Sequence, residues 1–244
     1  MQSFNYKQYI LNYPDLQEVG INTLEQAWHH YRRFGNSEGR TDQTKEYHVY
    51  NELGEDCTPV EVSEQQLARE YIQPDDVVLE LGARYGSVSC CINKILRNKT
   101  NQVVVEPDER VWECLENNKR INWCGFHIIK GFVSNSKLEL TDHLSYNGYG
   151  TTTKKSENSS IPSYTLESIK KQTGLNFNVL VADCEGFLET FFDENPGFLS
   201  GIRLVLFEAD RPDICDYSKI KDMLFSFNFK EILGGHQNVF LKSA

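Results

Sequence analysis

The chain has 244 residues, a formal net charge of −10, 25% charged residues and 12% aromatic residues. That length accommodates one α/β domain with a small appendage and a sizeable buried core, and the composition excludes global disorder. The acidic balance argues against a protein that coats a nucleic-acid backbone, because counterion release needs clustered Lys and Arg.

Residues 1–42 read as a small helical block. Tyr6 to Leu16 offers a short aromatic helix stopped near Pro14. Thr23 is placed to cap a second helix, with Gln26 as its capping-box partner, ending near Gly35. The block is too short to hold a core alone, so it is expected to dock on the main domain or on a second copy of the chain, a route to a homo-oligomer. Residues 43–60 are polar and read as a linker before the main domain at 61–244. There a helix with a Ser63 cap precedes the turn at Pro74, followed by strand 77–81, helix 86–97, strand 102–106, helix 109–122 and strand 126–130. Continuously apolar strands alternating with helices indicate a parallel sheet covered on both faces. Residues 145–160 lack any apolar period and read as a long polar loop. A helix at 165–172, strands at 178–182 and 202–208 and a helix at 216–226 follow. The chain closes with a β-hairpin, 227–233 and 239–241 around a Gly-Gly turn. A doubly wound, Rossmann-like sheet finished by an antiparallel hairpin is the methyltransferase variant of that fold, since a dinucleotide domain continues in parallel.

The most informative stretch is Val77 to Ser89 followed by Val103 to Pro107: strand, glycine-bearing turn, helix start, then a second strand ending in Glu106. Gly82 and Gly86, flanking Ala83, Arg84 and Tyr85, are expected to let the backbone pass close to a ligand. Glu106, about twenty residues on, lies where a carboxylate accepts hydrogen bonds from ribose hydroxyls. The spacing is not the G-x-G-x-x-G of a pyrophosphate site. A cofactor with ribose but no phosphate fits better, and S-adenosylmethionine is the candidate.

At these residues the chain resembles the FkbM-type family of S-adenosylmethionine-dependent methyltransferases. The resemblance runs through Leu79 to Gly86, Glu106 to Asp108, Asn118 and Asn122, Thr165 to Ile169, Asp183 to Gly186 and the strand ending in Glu208, covering about residues 57–242. Glu80 stands where the family tends to have Asp, and Arg84 where it tends to have Asn. The resemblance implies O-methylation of a sugar, glycan or glycosylated metabolite, with a small non-sugar hydroxyl, or a non-catalytic assembly role, as alternatives. The N-terminal block, with Asn12 to Leu16 and His30 to Arg40, looks like a short module found beside glycosyltransferases.

Methyl transfer to a hydroxyl needs an aligned acceptor and a base. Asp183, at the carboxyl end of its strand, is the first candidate, because open α/β sheets bind ligands there; Glu185 and Glu208 are seconds. The same carboxylates, with Asp210, could instead hold Mg²⁺, with Asp183 and Glu208 as leading ligands. Glu80 is expected to orient the cofactor's ammonium end and the glycine turn, with a salt bridge to Arg84 as the plain alternative. Gly82, Ala83, Gly86, Glu106 and Pro107 complete the cofactor set. Tyr146, Tyr149 and Asp210 are candidate acceptor contacts. His236 reads as a solvated turn residue. Seven Cys without a C-x-x-C pair and no secretory pattern suit a reducing, cytoplasmic setting, and no apolar run reaches the ~20 residues that span a bilayer. The expected partner is a sugar-bearing acceptor, not nucleic acid or membrane.

Overall fold

The computed structural model describes residues 4–13, 15–38, 40, 42, 47–141 and 150–243. The chain divides into two compact units, Met1–Tyr47 and His48–Ala244. The smaller holds α1 (Tyr6–Asn12), α2 (Asp15–Glu18) and α3 (Leu24–His30), the last continued by a π-helical turn at Tyr31–Gly35. Thr23 and Gln26 form the expected capping box, each side chain satisfying a backbone N–H at the start of α3. This unit closes a small core of its own around Tyr9, Ile10, Leu16 and Ala27, where the sequence led us to expect none. Gly35 makes that possible: a Cβ there would stand 2.0 Å from the Tyr9 hydroxyl.

The larger unit opens with a segment pinned to it from His48 onward. Asn122 accepts the His48 N–H and returns a bond to the His48 carbonyl. Asn118 does the same for Tyr50 and also donates to the Tyr85 carbonyl at 2.9 Å. Two amides one helical turn apart thus act as backbone clamps, a role the spacing alone did not disclose. The elements that follow are α4 (Val62–Tyr71), β1 (Val78–Leu81), α5 (Ser87–Ile95), β2 (Gln102–Glu106), α6 (Trp112–Ile121) and β3 (His127–Lys130). After the short β4 (Phe132–Val133) come β5 (Leu138–Thr141), β6 (Thr152–Lys155), β7 (Ser163–Tyr164), α7 (Leu166–Thr173), β8 (Val179–Ala182) and α8 (Leu188–Glu194). The chain ends with β9 (Leu204–Glu208), α9 (Tyr217–Ser226), β10 (Phe229–Leu233) and β11 (Gln237–Lys242).

Seven strands form one sheet in the order β10-β11-β9-β8-β1-β2-β3. The pairs β3/β2, β2/β1, β1/β8 and β8/β9 are parallel, while β11 runs antiparallel to both neighbours. That order, with one reversed strand inserted next to the edge, is the class I methyltransferase arrangement of the doubly wound fold. Every residue of β1, β2 and β8 is buried. Alternate side chains serve two cores: Leu79, Val103, Leu180 and Val205 face α7, α8 and α9, whereas Val78, Val179 and Leu204 face α4 and α5. The order reverses at β1, whose neighbours β2 and β8 come from opposite halves of the chain, and such a switch point opens a crevice at the strands' carboxyl ends.

Two local expectations fail. Part of the polar stretch 145–160 is not loop: Thr152–Lys155, itself without apolar alternation, pairs antiparallel with Leu138–Thr141 in a short hairpin. The helix expected to start from a Ser63 cap begins one residue earlier, with Glu61 at its cap in the left-handed conformation (φ 58°) and no side-chain capping bond. No helix among the described residues is long and apolar enough to cross a membrane.

Candidate functional site

A cleft of about 780 Å³ opens at the carboxyl ends of β1, β2 and β8. Glu106 and Pro107 stand on one wall, Asp183 and Glu185 at the opposite end, with Phe132, Val133 and Phe187 as apolar lining. Leu140, Thr151 and Thr153 of the β5/β6 hairpin complete it. A smaller cavity of about 380 Å³ lies toward α4 and shares Glu61, Gly82 and Asp183 with the cleft.

Glu106 is 5% exposed and holds the glycine turn in place. Its Oε2 accepts the backbone N–H groups of Ala83 (3.2 Å) and Arg84 (2.7 Å), and Oε1 accepts that of Asp108 (2.7 Å). Burial pushes its carboxyl above the usual range, with the backbone donors opposing. A carboxylate has about four acceptor positions, so the remaining capacity lies on Oε1. Arg84, with φ 48°, turns its guanidinium to Asp108 (3.0 Å) and over the Tyr85 ring (4.9 Å to the centroid). At Asp108 burial works to raise the carboxyl, but the bonds from Arg110 prevail and hold it below its ordinary value.

The glycines also answer to the protein's own packing. Gly82 (φ 85°) and Gly86 (φ 91°) are both left-handed, and their Cβ positions are blocked by the protein itself. A Cβ on Gly82 would lie 1.6 Å from the Asp183 carbonyl oxygen, and one on Gly86 2.8 Å from Leu115 Cδ1. Close packing of β1 against the end of β8 therefore dictates Gly82. Gly82→Ala adds a left-handed cost of ~1–2 kcal/mol to that backbone collision. Soluble yield and melting temperature should both collapse, and a well-folded variant would show that β8 can retreat.

Glu80 also differs from expectation. It is 1% exposed and accepts from Ser89 Oγ (2.6 Å) and Gln102 Nε2 (2.8 Å), below the turn on the α5 side. Burial pushes its carboxyl up to about 8. It lines the smaller cavity, not the cleft, and Arg84 pairs with Asp108 instead.

At the other end, Asp183, Glu185 and Asp210 bring carboxylate oxygens within 4.8 Å of one another. Glu208, expected beside Asp183 as a metal ligand, lies outside that set: it accepts a bond from Gln237 (2.9 Å), stands 2.6 Å from His236 Nε2 and faces the smaller cavity. Burial, then the surrounding carboxylates, pushes Asp183 well above its ordinary value. Burial, then Asp210, raises Glu185 to about 7; burial, then Glu64, raises Glu208 to about 8. Glu185 accepts the Gly150 N–H at 2.7 Å, tying the β5/β6 hairpin to the floor of the cleft. Asp210 Oδ1 accepts from the Tyr217 hydroxyl (2.7 Å), while Oδ2 is buried without a hydrogen-bond donor. Tyr146 and Tyr149 lie outside the described residues.

Sequence reasoning missed Glu61, Phe132 and the hairpin threonines. Phe132 follows a glycine at the end of β3, a signal available in principle; Glu61 lay in the supposed linker boundary and gave none.

No family model matches the chain, and no curated protein does. Solved structures similar to it include precorrin-6y C5,15-methyltransferase from Geobacter metallireducens GS-15, at 11% identity, 75% of this chain, 87% of that one and a TM-score of 0.47. A ribosomal protein L11 methylase from Lactobacillus delbrueckii subsp. bulgaricus shares 16% identity over 75% of this chain and 79% of that one, TM-score 0.43. An rRNA methylase from Streptococcus thermophilus shares 8% over 76% and 97%, TM-score 0.45. The fold class rests on the strand order and directions given above.

Proposed function

We propose that the protein is an S-adenosylmethionine-dependent methyltransferase acting on a hydroxyl, of the FkbM type. One observation carries this: a single cleft at the sheet's switch point has the buried Glu106 carboxylate at the end of β2 and the carboxyl groups of Asp183 and Glu185 just past the end of β8. In this reading Glu106 accepts a ribose hydroxyl on Oε1, and Pro107, Phe132 and Val133 cover the base. When bound, the cofactor supplies an electrophilic methyl on a sulfonium. Asp183 would take the proton from an acceptor hydroxyl held beside it, so that the oxygen could receive the methyl group the bound cofactor would supply. A carboxylate whose burial raises its proton affinity suits that task better than an exposed one.

The acceptor is best read as a sugar-bearing molecule: the carboxyl oxygens of Asp183 and Glu185, both lining the cleft, suit hydroxyl donors. Tritium transfer from labelled cofactor into a panel of free and conjugated sugars tests this, and transfer confined to RNA would overturn the acceptor assignment. Asp183→Asn should lower the transfer rate about 10²–10⁴-fold with cofactor affinity kept, as loss of a positioned base does. An unchanged rate removes Asp183 as the base. Loss of wild-type transfer after a chelating wash would instead give the carboxylate group a cation-binding role.

A further inference from the structure

Glu61 departs from two local rules at once. A non-glycine residue sits in the left-handed region (φ 58°, ψ 39°), where an L side chain is strained. It occupies the cap position of α4 yet makes no capping bond. Its carboxyl is instead turned to the Ser87 hydroxyl, which donates to it, at the start of α5. Strain of this kind persists where the surrounding structure enforces it, and such positions cluster at ligand sites. Glycine would relieve the backbone at no steric cost.

Its position supplies the reason. Glu61, Gly82 and Asp183 form the seam where the cleft meets the smaller cavity. The smaller cavity carries carboxyl groups from Glu61, Glu64, Glu80, Asp183 and Glu208, and no Lys, Arg or His among its described lining residues. Glu80 is taken up by Ser89 and Gln102, and Glu208 by Gln237 and His236. Glu61 has one hydroxyl donor and faces both spaces. A ligand with its nucleoside end at Glu106 and a cationic tail reaching past Gly82 would have Glu61 within the seam.

We propose that Glu61 binds the α-ammonium group of the cofactor's amino-acid tail, and that its strained backbone is maintained for that contact. This rests on the methyltransferase reading above. The tail's carboxylate is left to the first turn of α5, whose N-terminal N–H groups suit an anion and which brings Val88 to the cavity wall.

The test compares two ligands by calorimetry on the full chain: S-adenosylhomocysteine, which has the amino-acid tail, and 5′-methylthioadenosine, which lacks it. Glu61→Gln should weaken the first at least tenfold and leave the second within about twofold, since the amide keeps the shape but loses the charge-assisted bond to the ammonium group. Glu61→Gly should show the same selective loss while melting no lower than wild type without ligand. Equal losses for both ligands, or a lowered melting temperature with an unchanged affinity ratio, would assign Glu61 a structural role and overturn the proposal. Failure of the wild-type protein to bind either ligand would overturn the cofactor reading itself, and this one with it.

Discussion

Glu106→Ala is expected to lower stability and cofactor binding together, by large amounts. The carboxylate accepts three backbone N–H groups at the turn between β1 and α5 and at the start of the segment after β2. Truncation leaves those donors without acceptors, at about 1–3 kcal/mol for each that stays buried. Domains have only about 5–15 kcal/mol in total. At roughly 2–4 °C per kcal/mol for a domain of this size, a fall of about 10 °C or more in melting temperature is the expected result. The variant should also show no stabilisation by S-adenosylhomocysteine, because the ribose acceptor is gone. Glu106→Gln separates the two effects. It keeps the side chain's shape and one carbonyl oxygen, so it should fold while binding S-adenosylhomocysteine about 10- to 100-fold more weakly. Wild-type affinity in the Gln variant, measured by calorimetry, would confine Glu106 to holding the turn.

The second large effect is a decline of stability with rising pH. Burial pushes Glu80 and Glu208 up to about 8 and Glu61 and Glu185 up to about 7, from an ordinary 4.5. Between 4.5 and those values the folded chain holds protons that the unfolded chain has released. Stability follows the difference in bound protons, so it falls as pH rises through that interval. Carboxyls held low, such as Asp108 and Glu52, act only at the acid end, where their protonation removes stability as pH drops. The ligand-free protein should therefore be most stable near pH 5 and lose melting temperature steadily toward pH 8.5. Glu80→Gln, neutral at every pH, should flatten the slope: little change at pH 5, a higher melting temperature than wild type at pH 8. A melting temperature that climbs from pH 5 to 8, or a Gln variant with an undiminished slope, would show that Glu80 is ionised in the folded chain.

Much of the fold was legible in the sequence because burial on both faces of a parallel strand leaves a local trace. Val77 to Leu81, Val103 to Val105 and Val179 to Ala182 are apolar runs bounded by polar turns, and each became a central strand. Thr23 and Gln26 likewise announced a cap through spacing alone. The β5/β6 hairpin left no such trace, since Thr152 to Lys155 is polar on both faces and is held by pairing with Leu138 to Thr141. Helix α8 was also missed: Phe191 and Phe192 pack into a core that only the sheet supplies.

The sequence by itself determined the strand–turn–strand frame, the two left-handed glycines and the carboxylates at the strand ends, all features of neighbours along the chain. Only the tertiary structure decided how those groups are used. It set Glu106 against three backbone donors, sank Glu80 beneath the turn, joined Asp183 to Glu185 and Asp210 without Glu208, and brought Glu61 to the seam between two cavities. Periodicity is a property of a short segment, whereas these contacts join residues far apart in sequence and exist only once strand order and register bring their ends together.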